Sequence, residues 1–139
     1  MADLKTKPTP VDPDAFIEAV DNPRRREDAK VVRALFGGIL GEPPVMWGPT
    51  IVGFGRYRYT YDSGHSGEMP LLGFAPRGSS LVVYLDRSFD GADALVARLG
   101  KVKLSKGCIY INRLGDVDLG ALRELAIDSV ASTRARYPG

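Results

Sequence analysis

A chain of 139 residues, 44% hydrophobic and 26% charged, has the size and composition of one globular domain. Its formal charge of +2 is too small to mark a polyanion-binding surface unless the charge is gathered locally. One cysteine, Cys108, excludes an intramolecular disulfide and every multi-cysteine metal site, and one histidine, His65, excludes the histidine-rich sites.

Residues 1–11 carry Lys5 and Lys7 with no apolar run behind them, so they read as a flexible N-terminal arm and not as a secretory signal. Residues 12–139 read as a single domain. No window has the roughly 18 consecutive apolar residues of a membrane span. Together with the free thiol, this points to a cytoplasmic protein.

Asp12 followed by Pro13 predicts a helix start, because the aspartate can accept a backbone N–H and proline has none to lose at the first helical position. Phe16, Ile17 and Val20 give this short helix an apolar edge. Asn22 and Pro23 repeat the signal, and Val31, Val32, Leu35, Phe36, Ile39 and Leu40 recur at helical spacing up to a stop at Gly41. From Ile51 the period becomes two, with Arg56, Arg58 and Thr60 alternating with Tyr57, Tyr59 and Tyr61, which predicts one long strand. Strands at Leu71–Ala75 and Leu81–Leu85 follow across short turns, so the three should be antiparallel neighbours. Asp90 should cap a brief helix through Leu99, and Cys108–Ile111 should form a fourth strand. The last helix should open near Asp116 or Asp118 and turn Leu119, Leu122, Leu125, Ala126, Ser129 and Val130 inward. The order predicts an α+β fold, a small antiparallel sheet of four to five strands packed by N-terminal and C-terminal helices.

The segment from Met46 to Gly55 places the one tryptophan among glycines and a proline. It reads either as a pocket wall built from Trp47, Gly48 and Phe54, or as a connection whose Trp47 plugs the core against the second helix. Gly53, Phe54 and Gly55 do not make a dinucleotide fingerprint, since the third glycine is missing and a strand follows. Lys101, Lys103 and Lys106 beside Gly100 and Gly107 form a basic cluster with the chemistry of an anion site, and Lys103 and Lys106 join Trp47 in a candidate ligand site. Arg24, Arg25 and Arg26 read as solvated, or paired with the carboxylates of Glu27 and Asp28 or of a partner. The tyrosine and arginine strand resembles base-stacking surfaces only in composition, and the weak net charge argues against nucleic acid. His65 lies in a Gly/Ser loop, but Glu68 stands where a nucleophile elbow needs glycine. Cys108 opens an apolar strand and reads as a buried, inert thiol.

The runs MWGPTIVGFGRYRYTY, GEMPLLGFAPRGSSLVVYL and GKVKLSKGCIYINRLGDVDLGAL, in that order, resemble the YdhG-like family, a bacterial domain of unknown function. The resemblance covers the chain from about Asp12 onward and implies a compact α+β domain. Some members carry a frataxin-like, iron-chaperone label, which implies iron held by exposed carboxylates. Here Glu18, Asp21, Glu27 and Asp28 would have to supply them. No acid, base or nucleophile constellation appears, so the expectation is a non-enzymatic module, monomeric or homodimeric, that binds a small molecule or a protein. An iron-handling protein is the alternative.

Overall fold

The computed structural model describes residues 8–48, 50–60, 64, 66–78, 80–105 and 108–137. The α+β class is observed, in a sheet larger than expected. Helix α1 (Pro13–Glu18) is capped by the Asp12 side chain, and α2 (Pro23–Leu40) by that of Asn22. Gly41 ends α2 in the left-handed conformation at φ 67°. The seven-stranded antiparallel sheet includes β1 (Pro8–Thr9), β2 (Val45–Trp47) and β3 (Ile51–Phe54). A separate two-stranded hairpin, β4 (Tyr57–Thr60) and β5 (Ser66–Met69), leaves it after β3. The sheet resumes with β6 (Leu72–Pro76) and β7 (Leu81–Tyr84). Helix α3 (Ala92–Leu99), β8 (Lys103–Ser105), β9 (Cys108–Ile111) and α4 (Leu119–Arg136) complete the chain. Across the main sheet the order is β1-β2-β3-β6-β7-β9-β8.

Helix α2 lies across β6 and touches β3 and β7, while α4 packs on α2 and α3. The core therefore sits between these helices and one face of the sheet. Phe36 of α2 meets Phe54 and Phe74 edge-on at 5.9 and 6.4 Å, in the geometry that aromatic quadrupoles favour. Val32 and Phe36 are fully buried, whereas Val31 and Leu119, both expected inside, are exposed. Val31 lies off the stripe that α2 turns inward, and Leu119 is the first residue of its helix.

Three other expectations change. The predicted long strand is two strands, because Gly55 takes a left-handed φ of 66° and Pro70 interrupts the opposing chain, so β4 and β5 bend away together. Asp90 caps nothing, since α3 begins after Gly91 at φ 92° with no side-chain cap. Pro8 and Thr9, the described end of the predicted arm, pair with Trp47 and Met46 along β2. No described helix is long and apolar enough to cross a membrane.

Candidate functional site

Strand alternation decides where the predicted site residues point. Met46 pairs with Val52 and Trp47 with Ile51, so Met46, Val52 and Phe54 face the helices while Trp47 and Ile51 face the opposite, outer side. Trp47 and Phe54 thus never share a pocket wall, and Trp47 does not plug the core against α2. Phe54 is fully buried between Phe36 and Phe74. The Trp47 ring, only 1% exposed, lies over Gly53 with Pro70 beside it and the Arg56 guanidinium 5.6 Å from its centroid. A Cβ on Gly53 would sit 2.3 Å from Trp47 Cδ1 and 2.8 Å from Pro70 Cβ, so the missing side chain is what admits both rings. Gly48 follows β2 in a left-handed conformation at φ 66°.

Lys103 belongs to the far side of the sheet. It sits on edge strand β8, five strand spacings from β2, or about 24 Å at the usual interstrand distance. The structure therefore does not combine Trp47 and Lys103 into one site. Lys106 and His65 lie outside the described residues.

The four candidate iron ligands do not converge either. Lys30 stands between Glu18 and Glu27, at 2.6 and 3.3 Å. Hydrogen bonding from Lys30 holds the Glu18 carboxyl below its ordinary value, and Glu18 and Glu27 in turn raise Lys30. Asp28 accepts the Leu114 N–H at 3.1 Å, tying α2 to the 3-10 turn Leu114–Asp116, and Asp21 is exposed at the start of α2. Among the described residues no group of three potential metal ligands forms.

A partly enclosed space lies at the end of the sheet where the hairpin meets α4. Its volume is about 410 Å³, and its floor is Ile51 and Tyr84 on the outer face of the sheet. Tyr57 and Met69 from the hairpin, with Pro70 and Leu71 that follow it, form the roof, and Leu85, Asp86, Thr133 and Arg136 close the end. The roof is pinned to α4 by Tyr57, whose ring stacks on Tyr137 with centroids 5.3 Å apart. Trp47 is not part of the lining. It stands behind Pro70 and fixes that wall.

One polar cluster edges this pocket. The Asp86 carboxylate accepts the Ser88 hydroxyl at 2.7 Å, the Ser132 hydroxyl at 2.9 Å and Arg136 Nη2 at 3.3 Å. Burial pushes the Asp86 carboxyl up, but the hydrogen bonds from Ser88, Ser132 and Arg136 and the charge of Arg136 outweigh it and hold the group below its ordinary value. Asp86 is therefore ionised near neutrality with its lone pairs engaged, which makes it a poor proton acceptor. The backbone N–H of Asp86 donates to buried Ser129 at 2.7 Å, so the loop after β7 is tied to α4 from both sides. Arg136 Nη1 and Nε have no acceptor among the described residues.

Sequence reasoning missed this cluster because Asp86 and Arg136 are fifty positions apart. It also missed Arg25, read as solvated yet only 5% exposed, whose Nη1 donates to the Asn112 carbonyl at 3.0 Å and, less closely, to that of Ile111. A signal existed. Phe36, Val32 and Ala29 define the buried stripe of α2, and the next position back along that stripe is Arg25. Cys108, expected to be buried, is half-buried. Comparisons with protein-family models, with curated proteins and with solved structures find no match to this chain.

Proposed function

We propose that the protein is a non-enzymatic, YdhG-like binding module whose ligand is a small, mainly apolar, ring-bearing carboxylate held beneath the β4–β5 hairpin. The observation that supports this reading is the pocket of about 410 Å³ with two tyrosines, a proline and a methionine in its walls and the Arg136–Asp86 pair at its end. Ligand sites have this make-up, a predominantly apolar lining with a few polar groups that fix orientation. The aromatic walls supply contact area at small entropic cost. Arg136 already spends Nη2 on Asp86 and Ser88, which orients the guanidinium and leaves its other N–H groups for a carboxylate.

The test is a thermal-shift titration with 1-naphthoate and with its uncharged amide. Binding to the folded state alone must raise the melting temperature, by a free energy equivalent to about 2.7 kcal/mol at a hundred times Kd. The acid should give a saturable rise, and Arg136→Gln should weaken the acid toward the level of the amide. Absence of a saturable shift with either compound would reject the proposed pocket.

A further inference from the structure

A second cavity, of about 550 Å³, opens on the outer face at the other end of the sheet and is lined by Ser80, Lys101, Val102, Lys103, Tyr110 and Asn112. Its walls come from the start of β7, the end of β9 and the segment entering β8. Register explains the assembly, because Val82 pairs with Tyr110 and Tyr110 with Lys103, so these side chains share one face of three adjacent strands. The lining holds two cations, a hydroxyl, an amide and a phenol, with no carboxylate among those residues. Neither Lys101 nor Lys103 has an ion-pair partner among the described residues, whereas Lys30 has two.

Behind this wall lies a third cation. Arg25 is almost fully buried and its guanidinium is bonded to the carbonyls of Ile111 and Asn112, the second of which belongs to a lining residue. No carboxylate lies within 4 Å of it among the described residues, and its Nε has no acceptor. A guanidinium cannot shed its proton, so the charge persists, and burial screens it less than a surface charge.

We infer that this groove binds a phosphate-type dianion, with Lys101 and Lys103 contacting the anion, Ser80 and Asn112 offering hydrogen bonds, and Arg25 adding positive potential from behind. Two exposed lysines match two negative charges, and a preformed cleft of one sign concentrates counter-ions. The dianion is a free phosphate or the phosphate of a small monoester. In the monoester, the organic part would rest against Tyr110, whose hydroxyl lies 3.1 Å from Ser105 Oγ. This inference is independent of the pocket under the hairpin, which lies at the opposite end of β7. Lysines on an open edge strand also discourage pairing with another chain, and that role alone would leave the groove indifferent to phosphate.

The test is an amide NMR titration of the full chain with inorganic phosphate and, separately, with phenyl phosphate. Saturable shifts are expected at Ser80, Lys101–Lys103, Tyr110 and Asn112, and Lys101→Gln/Lys103→Gln should weaken the affinity by roughly tenfold or more at low salt. Both positions are exposed, and the variant's own spectrum reports whether it is folded. Tighter binding of phenyl phosphate assigns the groove to a monoester, and equal binding assigns it to the free anion. Shifts that stay linear into tens of millimolar, that fall elsewhere, or that persist unchanged in the double variant would overturn the inference.

Discussion

Adding one methyl group at Gly53 tests the reading of Trp47 more sharply than removing the ring. The added Cβ would meet Trp47 Cδ1 at 2.3 Å, Trp47 Nε1 at 2.7 Å and Pro70 Cβ at 2.8 Å, all closer than real Cβ contacts come. Because Trp47 is wedged against Pro70 and Arg56, and Gly53 sits in the middle of β3 paired with Val45 and Gly73, neither side yields freely. Overpacking of this kind costs about 1–3 kcal/mol. Against it stands the gain of about 0.5–1 kcal/mol for replacing a strand glycine with alanine. The clash wins, and Gly53→Ala should lose about 1–2 kcal/mol in urea unfolding followed by circular dichroism. A second background isolates the cause. In Trp47→Leu the shorter side chain removes the two closest contacts and leaves the one with Pro70, so the same Gly53→Ala change should cost less there, giving a coupling of about 1 kcal/mol. A loss below about 0.5 kcal/mol in the parent, or an equal loss in both backgrounds, would refute the placement of the ring over Gly53.

Other consequences can be measured separately. Asp86 carries a folded-state carboxyl lowered below 3.8, so its contribution is present above that pH and is lost as pH falls through the lower folded value. The stability difference between the parent and Asp86→Asn should accordingly be flat from pH 8 to about 5 and shrink below about 4, as read by denaturant midpoints across pH; a difference that grew on acidification would contradict the hydrogen-bonded carboxylate. Gly41 and Gly55 share a left-handed φ, of 67° and 66°, but a Cβ at Gly41 meets open space while one at Gly55 meets Leu71 Cδ1 at 2.8 Å. Gly41→Ala should therefore cost about 1 kcal/mol and Gly55→Ala clearly more, and equal melting temperatures for the two variants would remove the packing argument at the strand break.

What was legible in the sequence was local. Asp12, Asn22 and Asp118 each cap the helix that follows, because a capping side chain acts on a backbone N–H two or three residues away. Trp47 was not legible in the same way. Met46 and Trp47 are both apolar, so alternation alone cannot say which faces the helices, and only pairing with Val52 and Ile51 decides it. The break at Gly55 escaped for a related reason: the period of two continues through it, and the contrary influence comes from Pro70 and Leu71, between β5 and β6. Arg25 fell to a wrong precedence, with the charge of a three-arginine run weighed above its position on the buried stripe of α2.

The same distinction explains why the pocket under the hairpin has no motif and why the groove shows in the sequence only as Lys101 and Lys103. Helix α2, backed by α4, covers the inner face of the sheet with apolar side chains, which leaves chemistry to the outer face and to the two ends of the strands. At one end the walls come from Ile51, Tyr57, the stretch Met69–Leu71, the stretch Tyr84–Asp86, and Thr133 with Arg136. At the other they come from Ser80, Lys101–Lys103, Tyr110 and Asn112. A helix or tight loop brings ligands together at fixed sequence spacing, but an antiparallel sheet does so by register, across strands whose separation depends on every turn and insertion between them. Lys103, which looked like a neighbour of Trp47, fails on that ground. It has the right chemistry, but strand order places β8 about 24 Å from β2.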